Sequence, residues 1–297
     1  MLIKRQKLLL TLLDALGEPV SHTDFQKLLF LFTQECEGEP FYEFVPYRFG
    51  GFSFTSYADK RKLIEKGSLA DNDQLWQLTD AGRRTARRHS VDPLRAVSFC
   101  RRHSKLRGHA LILEQYRRFP YFATRSELLD KLPLEPEDRE RIESACPKQK
   151  APGLLTIGYE GRSLENCLNA LLRAGVTMLC DVRKNPLSRK YGFSKGALSK
   201  ACNGVGISYE HLPELGIDSA DRRNLETQSD YDALFAVYER TILPNRKKAL
   251  ESILAWVVKG GRVALICYER LPRQCHRARI AKALAQDDRL KRNVRHL

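Results

Sequence analysis

The sequence lacks long apolar runs, an export signal and an excess of acidic side chains. No stretch of about 18 apolar residues occurs, which excludes a membrane-spanning helix. Residues 1–20 are basic and then apolar, as in a signal peptide. However, Asp14, Glu18 and the absence of a small-x-small cleavage site favour an amphipathic first helix. We therefore expect a cytoplasmic protein with no membrane partner.

Cysteine is present without the pairing that marks a zinc ribbon, because no C-x-x-C motif occurs. The eight cysteines are Cys36, Cys100, Cys146, Cys167, Cys180, Cys202, Cys267 and Cys275. In a chain of this size without an export signal, reduced thiols are favoured over a disulfide framework.

Acidic residues are too few to balance the basic ones: 36 Asp and Glu stand against 51 Lys and Arg, a net charge of +15. Most of the excess is arginine, whose guanidinium forms paired hydrogen bonds with phosphate. This charge predicts nucleic acid as the partner, with DNA favoured. The alternative is a basic surface that only keeps the protein soluble.

The first half of the chain begins with helix-like apolar spacing and ends in a short strand. Residues 8–16 place leucines on one helical face, and FQKLLFLFTQE continues as a second helix. Gly50 and Gly51 indicate a turn, residues 53–66 a third helix and residues 75–79 a strand. Helices followed by a strand and LTDAGR predict a mainly helical, winged-helix-like domain over residues 1–90.

This half also resembles a known family over about residues 5–85. The stretches QKLLFL, YEFVPYRFGGFSFTSYADKRKLIEKG and WQLTDAGR are similar to the Panacea-type (SocA-like) antitoxin domain. The resemblance implies a winged-helix relative that binds DNA or a protein partner.

A dense basic stretch follows Gly82 and leads into a helical extension and linker over residues 91–150. Spacing of four residues places pairs of its arginines on neighbouring helix faces. The candidates for phosphate contact are Arg83, Arg84, Arg87, Arg88, Arg101 and Arg102. The alternative is a solvated helix or linker with no ligand.

Residues 151–297 alternate between strand and helix patterns. Strands are expected at 154–157, 176–181, 207–212 and 262–268, and Ser163 is expected to cap the first helix between them. This alternation predicts an α/β fold with an open parallel sheet and flanking helices.

Polar side chains follow each of the four predicted strands. Gly158-Tyr159, Asp181 to Arg183, Glu210-His211 and Cys267 to Glu269 occupy these positions. Ligands of open parallel sheets bind beyond the carboxyl ends of the strands. The sequence therefore predicts a polar pocket at that edge of the sheet.

The second half resembles the family called domain of unknown function 488 over about residues 153–286. The resemblance rests on TIGYEGRSLE, CDVRKNPLSRKYGFSKGAL, GISYEHLPELG and ALICYERLPRQCHRARIAKAL, which occur in order. It implies a compact α/β domain whose polar elements meet at one pocket. The matching positions are Asp181, Arg183, His211, Cys267, Glu269, Cys275, His276 and Arg277.

The two cysteines of the last motif leave thiol and metal chemistry open. Cys275 precedes a predicted helix beside arginines, which favours a thiolate. Cys267 and Arg273 have the C-x-x-x-x-x-R spacing of phosphate-loop thiol enzymes, but the interval holds Pro272 and no glycine. A zinc site would need Cys275 and His276 to converge, and adjacent side chains are expected to point apart. We therefore predict no metal site and leave the cofactor open.

Acid–base chemistry is the alternative that the strand ends favour. Asp181 and Glu269 follow two strands, and paired carboxylates divide acid and base roles when their environments differ. Arg183 and Arg277 are candidates to bind an anion, and His276 or His211 to carry protons. The competing interpretation is that each carboxylate forms a structural ion pair with a nearby arginine.

Together these patterns predict an enzyme that processes nucleic acid or a nucleotide, a hydrolase or glycosidic- or phosphate-bond enzyme in bacterial defence or base modification. The predicted catalytic residues are Asp181, Glu269, Cys275 and His276. The predicted substrate-binding residues are Gly158, Tyr159, Arg183, His211, Cys267 and Arg277. The alternative is a non-catalytic DNA-binding regulator or antitoxin-like protein that senses a small anionic ligand. The oligomeric state is left open.

Overall fold

The chain forms two compact units, Met1–Cys146 and Pro147–Leu297. A computed structural model describes residues 2–35, 41–218, 220–222, 225–290 and 294–297. Seven cysteines in these ranges are free thiols, and Cys36 lies outside the described residues. Within the described residues, helices that combine the length and apolarity needed to cross a bilayer are absent.

The first unit is mainly helical. Its helices are α1 (Lys4–Leu16), α2 (His22–Glu35), α3 (Phe54–Glu65), α4 (Asp80–Arg88), α5 (Pro93–Arg102), α6 (Gly108–Arg118) and α7 (Pro136–Ala145). Its strands are β1 (Val20–Ser21), β2 (Val45–Tyr47), β3 (Gly50–Phe52) and β4 (Leu75–Trp76). β1 pairs antiparallel with β4, and β2 pairs antiparallel with β3. The predicted helical character of this half is confirmed.

The core of the first unit extends past the predicted boundary at residue 90. The leucines of α1 and the phenylalanines of α2 form its centre, as their apolar spacing predicted. Ala96, Phe99 and Leu111 are fully buried in the same core. The basic extension therefore folds against the helices before it, because its apolar residues need that surface to leave water.

The expectation of a turn at Gly50 and Gly51 is wrong, since both lie in β3. The turn between β2 and β3 falls at residues 48 and 49. A Cβ atom on Gly50 would lie 2.3 Å from the Gln115 side chain, and one on Gly51 would lie 2.8 Å from Phe30. These glycines allow α2 and α6 to pack closely on the strand.

A buried lysine beside this hairpin bonds to a backbone carbonyl. Lys27 in α2 is 2% exposed, and its Nζ donates a hydrogen bond to the Gly51 carbonyl at 2.9 Å. Burial lowers the pKa of Lys27 to about 7. Folding therefore opposes protonation of this amine.

We expect Lys27→Met to stabilise the first unit at neutral and lower pH. The unfolded lysine keeps its proton up to its ordinary pKa, so the wild type loses stability as pH falls from that value to about 7. This loss amounts to a few kcal/mol, at about 1.4 kcal/mol per pKa unit, and the variant lacks it. The measurement is urea unfolding at several pH values.

The chain offers a reporter for each unit in that measurement, because its two tryptophans are Trp76 and Trp256. Fluorine NMR of fluorotryptophan-labelled protein follows the two units separately. The exposed Lys131→Met serves as the control. An unfolding free energy of Lys27→Met that changes with pH as much as the wild type's would contradict the expectation.

The second unit is an α/β fold. Its strands are β5 (Gly153–Gly158), β6 (Met178–Asp181), β7 (Ser208–His211), β8 (Arg262–Cys267) and β9 (Val294–His296). Its helices are α8 (Leu164–Arg173), α9 (Lys195–Gly204), α10 (Gln228–Val237), α11 (Lys247–Val258) and α12 (His276–Leu284). A π turn (Tyr238–Ile242) and a 3-10 turn (Leu243–Arg246) join α10 to α11.

The five strands form one parallel sheet in the order β7-β6-β8-β5-β9. The open parallel sheet with flanking helices is thus confirmed. Ser163 caps α8 as expected, accepting a hydrogen bond from the Asn166 amide at 2.9 Å. β9 was not predicted, because its three residues are too few to show the alternation of apolar and polar side chains that marks a strand.

Strand order determines where the polar strand ends meet. β6 and β8 are neighbours, and Asp181 lies in register with Ile266. β5 is the other neighbour of β8, and Gly158 lies in register with Cys267. The carboxyl ends of three central strands therefore lie side by side at one edge.

Candidate functional site

A cavity of about 470 Å³ lies at this edge of the sheet. Its lining residues are Tyr159, Arg183, Lys184, Asn185, Leu187, Ser188, Arg189, Lys190, Ile217, Arg222, Cys267 and Tyr268. Five of the twelve are Lys or Arg, and none of these described lining residues is acidic. The volume is that of a small-molecule site, and the charge favours an anionic ligand.

Aromatic rings lie beside these cations. Tyr159 stacks on Phe193 with ring centroids 4.2 Å apart and planes within 8°. Tyr268 packs edge-on against Tyr159 and remains 46% exposed. One wall of the cavity thus contains the Tyr159 ring, which is held by its stacking on Phe193, and the Tyr268 ring, which faces solvent.

Asp181 is fully buried, and its carboxylate holds Arg183 in place. The Arg183 side chain donates from Nε to Oδ1 at 2.8 Å and from Nη2 to Oδ2 at 2.5 Å. The Tyr209 hydroxyl donates to Oδ2 at 2.7 Å. Nη1 of Arg183 donates to the Tyr159 hydroxyl at 2.8 Å, so the guanidinium is orientated from both sides.

This pair has the geometry that the ion-pair interpretation requires. Burial would lower the pKa of Arg183, but its hydrogen bonds with Asp181 raise it above the usual value. Burial and the Asp181 charge also raise the pKa of Tyr209. With the Arg183 amide, which donates to Oδ1 at 3.1 Å, the Asp181 carboxylate accepts four hydrogen bonds and positions Arg183.

The second half of the site is a buried cluster at the end of β8. The Cys267 thiol lies 3.3 Å from Oε2 of Glu269 and 3.7 Å from Nδ1 of His276. The ligand atoms of Cys267, Cys275 and His276 all lie within 4.8 Å of one another. This geometry is open to both thiol and metal chemistry.

The expectation that Cys275 and His276 point apart is wrong. Cys275 has an extended backbone with φ −138° and ψ 134° and precedes the first residue of α12. His276 begins the helix, so the two side chains do not alternate as they would along a strand. Both reach the end of β8.

The two thiols differ in acidity. Burial raises the pKa of Cys267, but the Cys275 hydrogen bond and the charges of His276 and Arg222 lower it well below its usual value. Burial and the bond with Cys267 raise the pKa of Cys275 well above its usual value. Cys267, which lines the cavity, therefore has the greater thiolate character of the two.

The Glu269 carboxylate contacts two residues that line the cavity, Arg222 and Cys267. One carboxylate oxygen pairs with Arg222, and the other accepts from the Cys267 thiol in its protonated form. The residue is 7% exposed. Asp181 and Glu269 thus lie at the ends of two neighbouring strands, β6 and β8, and each has its own arginine.

Three other predicted substrate-binding residues contact backbone carbonyls of neighbouring segments. Arg277 is fully buried and donates to the carbonyls of Glu269 and Arg270 at 2.5 and 3.1 Å. A Cβ on Gly158 would lie 1.9 Å from the Glu269 carbonyl oxygen, so the close approach requires glycine. His211 contacts the Arg183 carbonyl at 2.9 Å through Nε2. None of the three lines the cavity.

The C-x-x-x-x-x-R spacing does not form a phosphate cradle. Arg273 is exposed, and the amides of Arg270 and Cys275 bond to Glu160 and to the Pro272 carbonyl. Because these two amides already donate to partners within the protein, they cannot point together at a bound anion.

The predicted nucleic-acid arginines lie on two helices of the first unit. α4 carries Arg83, Arg84, Arg87 and Arg88, and α5 carries Arg101 and Arg102. Arg87 pairs with Asp14 at 3.4 Å, and Arg102 pairs with Glu35 at 2.8 Å. Arg84, Arg88 and Arg101 are exposed.

Four of the basic side chains that line the cavity were not among the residues predicted for the site. Lys184, Arg189 and Lys190 follow β6 in the stretch DVRKNPLSRK, whose basic character at a strand end was the available signal. Arg222 comes from the segment after β7 and carries no such signal. Arg222 reaches the cavity only in the tertiary structure, where it pairs with Glu269 after β8.

Comparison with known proteins bears on the second unit. Curated proteins and solved structures give no match. The resemblance of residues 5–85 to Panacea-type domains stays a prediction. The family described as Domain of unknown function DUF488 matches residues 163–284, so the predicted resemblance is confirmed for the second unit.

Proposed function

We propose that the second unit is an enzyme that processes a nucleotide or a nucleic-acid end, with phosphate and base held in the cavity. One observation carries this proposal: a cavity whose charged lining residues are all cationic has Cys267 in its wall, and the Cys267 thiol contacts Glu269 and His276 directly behind it. An anion-binding site and a group of proton-carrying side chains thus meet at one place.

The cations provide the phosphate site. Arg183 is held rigid by Asp181, and rigid guanidinium groups bind phosphate with little loss of side-chain entropy. Lys190 lies beside it, with its Nζ 3.4 Å from the Tyr159 carbonyl. Burial lowers the pKa of Lys190, a cost that a bound phosphate would offset.

The aromatic wall provides the site for a base. Tyr268 exposes nearly half of its surface at the cavity, next to the stacked Tyr159 and Phe193. Bases stack on such rings with little sequence preference. Phosphate-binding cations beside a stacking ring favour a nucleotide over inorganic phosphate.

The reaction that fits these groups is hydrolysis. Glu269 takes a proton from the attacking water, and the same proton then passes to the leaving group, so that bond cleavage consumes one water. Arg222 forms an ion pair with the Glu269 carboxylate and holds it in position behind Cys267. In this assignment Glu269 is catalytic, and Asp181 positions Arg183.

The first unit would recruit the substrate or a protein partner. β1 pairs with β4, and the Leu69–Leu78 bridge closes a hairpin around residues 71–74, as in a winged helix. The exposed arginines of α4 and α5 favour contact with DNA phosphates. A cytoplasmic role in bacterial defence or base modification agrees with this combination.

We expect Lys190→Met to weaken nucleotide binding by about 10–100-fold, since a hydrogen bond to a charged group contributes about 1.5–3 kcal/mol. Binding of the corresponding nucleoside, which lacks phosphate, should not change. The measurement is isothermal titration calorimetry of mono-, di- and triphosphates. The matched control is Lys259→Met, an exposed lysine that follows α11 at the opposite edge of the sheet.

The outcomes separate the possible roles of the cavity. Equal affinities of the Lys190 and Lys259 variants would show that the cavity is not the phosphate site. Tight nucleotide binding with no product, and with DNA affinity that responds to the nucleotide, would indicate the non-catalytic regulator instead.

A further inference from the structure

We propose that Cys267, Cys275 and His276 bind a zinc ion that faces the cavity. The metal site stands on the geometry of the cluster alone. Its role as the reaction centre rests on the proposed function.

The spacing of the three ligand atoms suits a tetrahedral metal. Zinc bonds of about 2.3 Å to sulfur and 2.0 Å to nitrogen separate neighbouring ligand atoms by roughly 3.5–3.8 Å. The distance from Cys267 Sγ to His276 Nδ1 is 3.7 Å, and all three ligand atoms lie within 4.8 Å. Two thiolates and an imidazole are the donors that zinc prefers.

The histidine ring is already in the orientation that a metal requires. Nε2 of His276 lies 2.9 Å from the Val182 carbonyl, which only accepts, so Nε2 carries the proton. Nδ1 is then the ring nitrogen that faces the Cys267 sulfur, at 3.7 Å. A metal-bound histidine usually donates its other N–H in this way, to a carbonyl or carboxylate.

The three residues leave one coordination position open. Cys267 lines the cavity, whereas Cys275 and His276 lie behind it. Catalytic zinc sites have three protein ligands and an open position, and structural sites have four. The described residues thus provide the pattern of a catalytic site.

Glu269 completes the site without being a ligand. Its Oε2 lies 3.3 Å from Cys267 Sγ, so a thiolate and a carboxylate would be adjacent once the thiol loses its proton. A divalent cation offsets this repulsion, and a water at the open position would donate to the carboxylate. Bound zinc activates such a water for attack.

Metal binding balances as a proton exchange. Zn²⁺ binds both cysteines as thiolates and His276 as a neutral imidazole, so every proton that the two sulfur atoms and Nδ1 hold beforehand is released. Calorimetry in buffers of different ionisation enthalpy counts these protons.

The experiment is elemental analysis of the purified full chain, with uptake of Zn²⁺ and Co²⁺ after reduction and chelation. The wild type should bind one zinc per chain, and Co²⁺ should give tetrahedral visible bands with thiolate charge transfer. Cys275→Ala and His276→Gln should each weaken zinc binding by more than about 100-fold. Cys202→Ala, a buried thiol of α9 outside the cluster, is the matched control.

The results distinguish the metal site from the proposed function. A wild-type chain that neither contains nor takes up zinc overturns the site, as does full occupancy in Cys275→Ala. If such a metal-free chain still converts nucleotide and loses activity with iodoacetamide, Cys267 is a nucleophile and the proposed function stands. One bound zinc with no nucleotide binding supports the site and refutes the function. Circular dichroism of each variant shows whether it is folded, so that a loss of zinc binding cannot be the result of misfolding.

Discussion

Replacement of Glu269 by Gln is expected to lower turnover by about 10²–10⁴-fold, the usual contribution of a general acid or base. Glutamine keeps the shape of the side chain but cannot take a proton from water. The pairing with Arg222 weakens, whereas the cations that line the cavity remain. The measurement is product formation from a panel of nucleotides and short DNA and RNA oligonucleotides, followed by mass spectrometry.

The same substitution on the surface provides the control. Glu251 in α11 forms an exposed ion pair with Arg289, so Glu251→Gln tests the loss of a paired carboxylate away from the cavity. Nucleotide affinity of Glu269→Gln should stay within a few-fold of the wild type. Undiminished turnover in this variant would remove Glu269 from the catalytic residues.

Replacement of Asp181 by Asn is expected to destabilise the second unit by about 3–5 kcal/mol, because it leaves a buried arginine without its counterion. Asp181 is fully buried and Arg183 is 6% exposed, so solvent screens neither. The expected loss is greater than that of any surface ion pair of the chain, which contributes about 0–1 kcal/mol. The measurement is urea unfolding followed at Trp256.

The double variant Asp181→Asn with Arg183→Met separates charge from packing. Removing both partners eliminates the unpaired charge, so most of the lost stability should return. Tyr209→Phe, which removes one donor to the same carboxylate, should cost about 1 kcal/mol. A loss below about 1 kcal/mol in Asp181→Asn, together with lost turnover, would make Asp181 catalytic instead of a positioning residue.

Local patterns predicted most elements of the second unit. Residues 262–268 were expected as a strand, and β8 spans Arg262–Cys267, because a short apolar run bounded by polar residues has few other stable forms. Ser163 was expected to cap α8 because its hydroxyl accepts from a free amide three residues on. β9 lacked such a signal, since its pairing with β5 depends on the sheet already formed.

The sequence predicted a polar pocket at the carboxyl ends of the strands, and the structure has a cavity there. Asp181 and Glu269 meet at one edge because parallel strands share their carboxyl ends. The division of labour between them depends on neighbours that are distant in sequence. Arg183 is a near neighbour of Asp181 in sequence, but Tyr209 donates to the same carboxylate across 28 positions, and Arg222 pairs with Glu269 across 47.

The sequence by itself determined the charge, the α/β alternation and the order of polar strand ends, because these follow from side-chain type and spacing along the chain. The tertiary structure alone decided which side chains meet. Cys275 and His276 converge on Cys267 only because α12 begins where the chain returns to the end of β8. Arg277 bonds to the loop carbonyls instead of the cavity because that loop folds over β5. Such contacts depend on chain reversal and strand order, which local spacing does not encode.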